Sequence, residues 1–173
     1  MMIDLTIASF LVSLLGFVGL YNLYVDRVII YIKSIVPGIS GVKEGDKEWK
    51  HSISGIQVEV LNKGKRDAQN CEGLVTFKKM DSLTLYPTEK GNVLGEAKFN
   101  LHAGERKNLV AARKFSGAGI DGSAGLEMGE FLEKAPPIEV VIYYGEKKIR
   151  KRLSEKDVEK ILRRNEEDAH MYG

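Results

Sequence analysis

Ile56-Gln-Val-Glu-Val-Leu-Asn-Lys-Gly-Lys-Arg-Asp-Ala-Gln-Asn-Cys-Glu-Gly-Leu-Val-Thr-Phe77 is the stretch whose reading decides the fold. Ile56, Val58 and Val60 alternate with Gln57 and Glu59, the period-2 pattern of a half-buried strand. Asn62 to Asp67 is rich in Asn, Gly and charge and reads as a turn. The pattern then resumes, with Cys71, Gly73, Val75 and Phe77 on one face. Two strands joined by a tight polar turn are the unit of an antiparallel sheet.

Working outward, the same signal repeats. Leu83 and Leu85 suggest a short strand ended by Pro87. Ala97, Phe99 and Leu101 alternate, His102 to Glu105 turns, and Leu109–Phe115 returns. Ile138, Val140, Ile142 and Tyr144 form the most strongly patterned strand, and Gly145-Glu146-Lys147 turns it into Lys148–Leu153. About seven antiparallel strands fit into residues 49–153, with no helical pattern interleaved. The expected fold is therefore an all-β immunoglobulin-like sandwich. Ser154 opens a short C-terminal helix within 154–173, with Asp157 completing a variant capping box.

The N-terminus is of another kind. Leu5–Val25 holds 21 residues without a charged side chain. As a helix it would be about 30 Å long, the thickness of a bilayer's hydrocarbon core. A cleaved signal peptide is disfavoured: the residues before it carry no Lys or Arg, and no small-x-small site ends the run. The expectation is a permanent single-pass anchor. Apolar residues resume after Asp26-Arg27, so the helix is expected to continue as a juxtamembrane extension to Val36, ended by Pro37-Gly38. The expected division is thus 1–36 transmembrane helix with extension, 37–48 linker, 49–153 β domain and 154–173 helix and tail. Lys and Arg follow the span and are missing before it. By the positive-inside rule the domain is expected on the cytoplasmic side.

The passage Val58-x-Val60-x-Asn62-x-Gly64-x-x-x-Ala68-x-x-Cys71 resembles the second-to-third strand segment of CARDB-type and related immunoglobulin-like domains. Leu101-x-x-Gly104-Glu105 is similar to a later segment of the same domains. The resemblance covers about a third of the chain. It implies a β-sandwich and a non-catalytic binding or spacer role.

Composition excludes several classes. The chain has 173 residues, a net charge of +2 and a single cysteine, Cys71. No intrachain disulfide can form, and a small net charge without interleaved aromatics gives no reason to expect nucleic-acid binding. Gly117-Ala-Gly119-Ile-Asp-Gly122 matches G-x-G-x-x-G, but the glycines that follow would interrupt the helix a dinucleotide site requires. His51, His102 and His170 lack metal-ligand spacing, and no nucleophile motif occurs. No catalytic residue, cofactor or metal is expected, and the chain is not expected to be an enzyme.

The candidate sites are therefore surfaces. Ser9, Ser13 and Gly16 share a helix face that could admit another helix closely. Val28, Ile29 and Ile32 are expected to form a juxtamembrane contact. Lys147, Lys148, Arg150, Lys151 and Arg152, with Arg163 and Arg164, form a basic surface suited to anionic lipid headgroups or an acidic partner, or else a charged edge strand that resists sheet-to-sheet pairing. The expected partners are the lipid bilayer and a protein partner or a second copy bound through the N-terminal helix. The expected function is a membrane-anchored scaffold or interaction module. The alternatives are an extracytoplasmic subunit of an envelope or surface-filament assembly and, third, a nucleotide-binding enzyme using Gly117–Gly122.

Overall fold

Val28, Ile29, Ile30, Ile32, Ile35 and Val36 are β-branched, a composition that favours strands over helices. In the computed structural model, which describes residues 12–20, 27–42, 50–90, 92–111 and 126–171, this run is the first strand, β1 (Ile30–Val42). It pairs antiparallel with β2 (Lys50–Asn62) along its whole length. The expected helical extension to Val36 is thus corrected. Ile30, Ile32 and Ile35 point into the core, where a strand buries them on one face. A helix over the same residues would need a separate surface to cover them. Pro37 lies within β1, an outer strand of the sheet, where its missing N–H costs no ladder bond on the open side. The β domain therefore begins at Ile30, and the expected linker is strand as far as Val42. Residues 43–49, with Trp49, lie outside the described residues.

The remaining elements are β3 (Ala68–Thr76), β4 (Leu83–Glu89), β5 (Asn92–Val93), β6 (Phe99–Leu101), β7 (Arg106–Ala111), β8 (Leu126–Glu127), β9 (Ile138–Tyr144) and β10 (Lys147–Leu153). Residues 12–20 are helical and form the described part of α1. Helices α2 (Met128–Lys134) and α3 (Glu155–Met171) complete the fold. The sheet runs in the order β1-β2-β7-β4-β3-β9-β10, every neighbour antiparallel. It is mostly antiparallel β-sheet, curled into a nearly closed barrel. β4 makes the corner. Its first half, Leu83 to Leu85, pairs with β3, and its second half, from Tyr86, pairs with β7. Pro87 does not end this strand as expected, but sits in the half that has turned onto β7, opposite Leu109.

Inward residues alternate along β2 from Ile56, β3 from Cys71 and β6, whereas β9 buries Val140, Val141 and Ile142 in succession. Ile56, Val58, Val60, Cys71, Val75, Leu85, Leu101, Leu109, Ile138, Val140 and Ile142 are buried, each worth about 1.5–3 kcal/mol for the larger aliphatic side chains. The barrel closes between β1 and β10. β1 carries a bulge between Ile32 and Ser34, which re-aims its backbone. The Lys151 ammonium donates there to the carbonyls of Ile32 (3.1 Å) and Lys33 (2.8 Å). α3 contacts both strands beside this seam and buries Val158 and Leu162; its Asn165 amide donates to the Pro37 carbonyl at 3.5 Å. Ser154 caps α3 as expected: its Oγ accepts from the Asp157 N–H (3.3 Å), and Asp157 Oδ2 accepts from the Ser154 N–H (3.0 Å) and hydroxyl (2.6 Å). These bonds hold the Asp157 carboxyl below its usual value.

Candidate interaction surfaces

The turn between β2 and β3 is built around one buried polar side chain. Asn62 is fully buried, and its amide is satisfied on both sides. Oδ1 accepts from the N–H of Ile29 (3.3 Å) and of Gly64 (3.0 Å). Nδ2 donates to the carbonyls of Arg66 (2.7 Å) and Leu101 (3.1 Å). The Asn62 backbone also pairs with Glu105 and Gly104. One residue therefore ties the incoming chain, the β2–β3 turn and the β6–β7 turn into a single pole of the barrel.

Gly64 is needed at this pole because the incoming chain passes over it. A Cβ there would collide with the Arg27 carbonyl and the Ile29 N–H. Neither Asn62 nor Gly64 has a positive φ; among the described residues that backbone state occurs at Asn70, Lys90, Gly104 and Gly145. What the turn requires of these two residues is burial and close approach, not a left-handed backbone. The chain is held over the turn by Lys63 N–H to Ile29 O (2.8 Å) and Lys65 N–H to Arg27 O (3.1 Å).

A second tie at the same pole was not legible from sequence spacing. His102 Nδ1 lies 2.9 Å from Asp67 Oδ2, and Asp67 Oδ1 accepts from the Ala103 N–H at 2.8 Å. The hydrogen bond to Asp67 raises the His102 pKa, and the same bond lowers that of Asp67. The pair is exposed and joins two turns. Cys71, the sole thiol, is buried among core aliphatics, and burial pushes its pKa up to about 11. It is a poor nucleophile in that state.

The expected juxtamembrane contact separates into three environments. Ile32 belongs to the core, Val28 packs half-buried against it, and Ile29 remains 40% exposed. Only Ile29 and the neighbouring Tyr31 offer apolar surface, with Lys63 Nζ 4.6 Å from the Tyr31 ring centre. Ser13 and Gly16 lie on α1, where a Cβ on Gly16 would meet nothing within 4 Å. Ser9 lies outside the described residues, as does the loop Gly117–Gly122.

The expected basic surface is also divided. Lys147, Lys148, Arg150 and Arg152 are exposed along β10, with Arg150 Nη1 3.9 Å from Glu139. Lys151 faces the other way and is spent on the β1 seam. β10 runs in the same direction as β1, because six antiparallel steps separate them in the sheet. Lys147 and Lys148 therefore lie at the Asn62 pole. Arg163 and Arg164 sit exposed on α3, which starts from the opposite end of β10.

Two shallow depressions lie on the barrel wall. One, of about 370 Å³, crosses the outer face of β1, β2 and β7 and is lined by Ser34, Val36, Glu59, Thr88, Asn108 and Val110. Its one carboxylate, Glu59, is already paired with Lys33 at 3.0 Å. The other, of about 400 Å³, lies beside Pro87, Phe99, His102 and Lys107. Among the described residues no group of three or more His, Cys, Asp or Glu could hold a metal ion. Among the same residues no helix is long and apolar enough to cross a membrane; the described part of α1 covers 12–20 of the longer run Leu5–Val25.

The chain matches no protein-family model, no curated protein and no solved structure.

Proposed function

We propose that the chain is a membrane-anchored, non-catalytic interaction module that presents an immunoglobulin-like β domain to a protein partner. The observation that carries this reading is the exposure of α1. Val12, Leu15, Phe17 and Leu20 are each about 70% exposed, and Leu14 and Val18 about half exposed. The β domain fills its own core without them. Six large apolar side chains on one uncharged run need a lipid or protein environment. The run Leu5–Val25 has the length for a bilayer and ends just before the first basic residue, Arg27.

The immunoglobulin-like assignment is supported by strand order. β1-β2-β7-β4 and β3-β9-β10 correspond to an ABED sheet and a CFG sheet, with β4 shared at the corner. Domains of this architecture commonly act as binding or spacer modules, an argument from fold analogy. The buried thiol and the shallow, ion-paired depressions favour recognition over chemistry.

The test is alkaline carbonate extraction of membranes carrying the full chain, followed by protease treatment of sealed right-side-out vesicles. The expected result is retention in the pellet and protection of the β domain from external protease. Release into the supernatant would refute the anchor. Digestion of the domain would place it outside and favour the extracytoplasmic assembly subunit.

A further inference from the structure

We propose that the pole of the barrel around Asn62 is a seat for anionic lipid headgroups, formed by Arg27, Lys63, Lys65, Arg66, Lys147 and Lys148. The inference rests on the anchor reading above and names the surface that meets the membrane.

Chain continuity places this pole at the bilayer. If the span ends at Val25, Arg27 follows two residues later, within about 7 Å of it along the chain. Arg27 is fixed to the domain, because its carbonyl accepts from the Lys65 N–H at 3.1 Å. The turn Lys63 to Arg66 is therefore held beside the point where the chain leaves the hydrocarbon. That spacing is shorter than the screening length of about 8–10 Å at physiological salt, so these charges act on the membrane surface.

The second side of the seat comes from the far end of the sheet. Lys151 bonds the Ile32 and Lys33 carbonyls, and β10 runs parallel in direction to β1 across the seam. Lys148 lies three residues earlier, about 10 Å toward the start of β1. Lys147 and Lys148 thus flank the incoming chain opposite the Lys63–Arg66 turn.

Charge is segregated here. All six cations are exposed. The same pole carries four carboxylates, Asp26 beside Arg27 in the sequence, Asp67, Glu105 on the β6–β7 turn and Glu146, leaving an excess of two positive charges. The whole chain carries an excess of two, from 26 basic and 24 acidic residues, so the remainder, 20 basic and 20 acidic, is balanced. Asp67 is turned aside to His102 and the Ala103 N–H. Ile29 and Tyr31, the exposed apolar residues beside the seat, suit the headgroup–acyl boundary.

The experiment uses the full chain reconstituted into vesicles. A fluorophore on Ala103→Cys reports the pole, and one on Glu155→Cys reports the opposite end, against nitroxide quenchers carried on lipid headgroups. In phosphatidylserine-rich vesicles the label at 103 is expected to be quenched and that at 155 unaffected. Quenching at 103 should fall in phosphatidylcholine alone or at high salt. Each cation near an anionic surface strengthens attachment about fivefold, so Lys63→Gln, Lys65→Gln and Arg66→Gln together should weaken it on the order of 100-fold. Lys147→Gln with Lys148→Gln should weaken it about 25-fold. The turn's hydrogen bonds use main-chain atoms of 63, 65 and 66, and an unchanged circular dichroism spectrum confirms that the variants fold. Equal quenching at both positions, or quenching at 103 indifferent to lipid charge, overturns the proposal. Release of the chain by carbonate refutes the anchor itself; a retained chain with charge-indifferent quenching refutes only the seat.

Discussion

Replacing Asn62 by Ala should be among the most damaging single changes available in this domain. The substitution removes four hydrogen bonds at once and leaves four backbone partners behind. The Leu101 carbonyl and the Gly64 N–H are in the buried bonds of this set; each orphaned group of that kind costs about 1–3 kcal/mol. The Ile29 N–H and Arg66 carbonyl are half-buried and can recruit water, so they add about 0.5 kcal/mol each. The expected loss is about 3–7 kcal/mol, a large part of the 5–15 kcal/mol typical of a domain. Urea unfolding of the full chain in mild detergent, followed by near-ultraviolet circular dichroism, measures it. Asn62→Asp separates hydrogen bonding from volume. Its carboxylate could still accept from Ile29 and Gly64, but would face the Arg66 and Leu101 carbonyls with no proton to donate. That environment raises the folded-state pKa of the new carboxyl above its unfolded value, so stability should increase as pH falls through the acid range. A loss below about 1 kcal/mol for Asn62→Ala, or an Asn62→Asp protein as stable as the parent at neutral pH, would refute the claim that this amide organises the pole.

Gly64→Ala should destabilise by about 2 kcal/mol or more, because the obstructing atoms are backbone and cannot step aside; hydrogen exchange should accelerate first at the Lys63 and Lys65 amides. Cys71 should resist thiol reagents in the folded protein at neutral pH and react only at the rate of unfolding, since its pKa of about 11 leaves almost no thiolate; fast native-state labelling would contradict its burial. His102 should titrate by NMR above the ordinary histidine value and return toward it in Asp67→Asn. Because its folded-state pKa is raised, its contribution to stability is present below the ordinary value and is lost as pH rises through the folded one. Lys151→Met should cost about 1–2 kcal/mol and speed exchange along β10, as it leaves the Ile32 and Lys33 carbonyls without their ammonium donor; exchange unchanged there would mean that α3 alone closes the seam.

What the sequence determined by itself was the main strands from Ile56 onward; the helix α2 (Met128–Lys134), interleaved before β9, was not expected, because glycines flank its short run. A half-buried strand must alternate, and β2 from Ile56 and β3 from Cys71 do so, while β9 also buries Val141 on its other face. The Ser154–Asp157 cap was legible for a similar reason, since a cap is local chemistry over four residues. Residues 28–36 were not legible. Ile29 to Ile32 is an unbroken apolar run next to a longer one, and hydropathy alone cannot separate a helix extension from a strand buried on one face. Only pairing with β2 decides it, because the ladder satisfies the backbone while Ile30, Ile32 and Ile35 enter the core. The basic run from Lys147 to Arg152 was likewise visible as charge, yet its division was not. Successive strand residues point to opposite faces, and Lys151 alone faces the β1 bulge. The pole is the clearest case. Asn62, Gly64 and Gly104 stood out as turn residues and Leu101 as a strand residue, but that they meet at one place, with Arg27 lying over them, depends on contacts separated by more than 30 residues. Local pattern fixes which face of a strand is buried; closure of the barrel fixes which turns become neighbours.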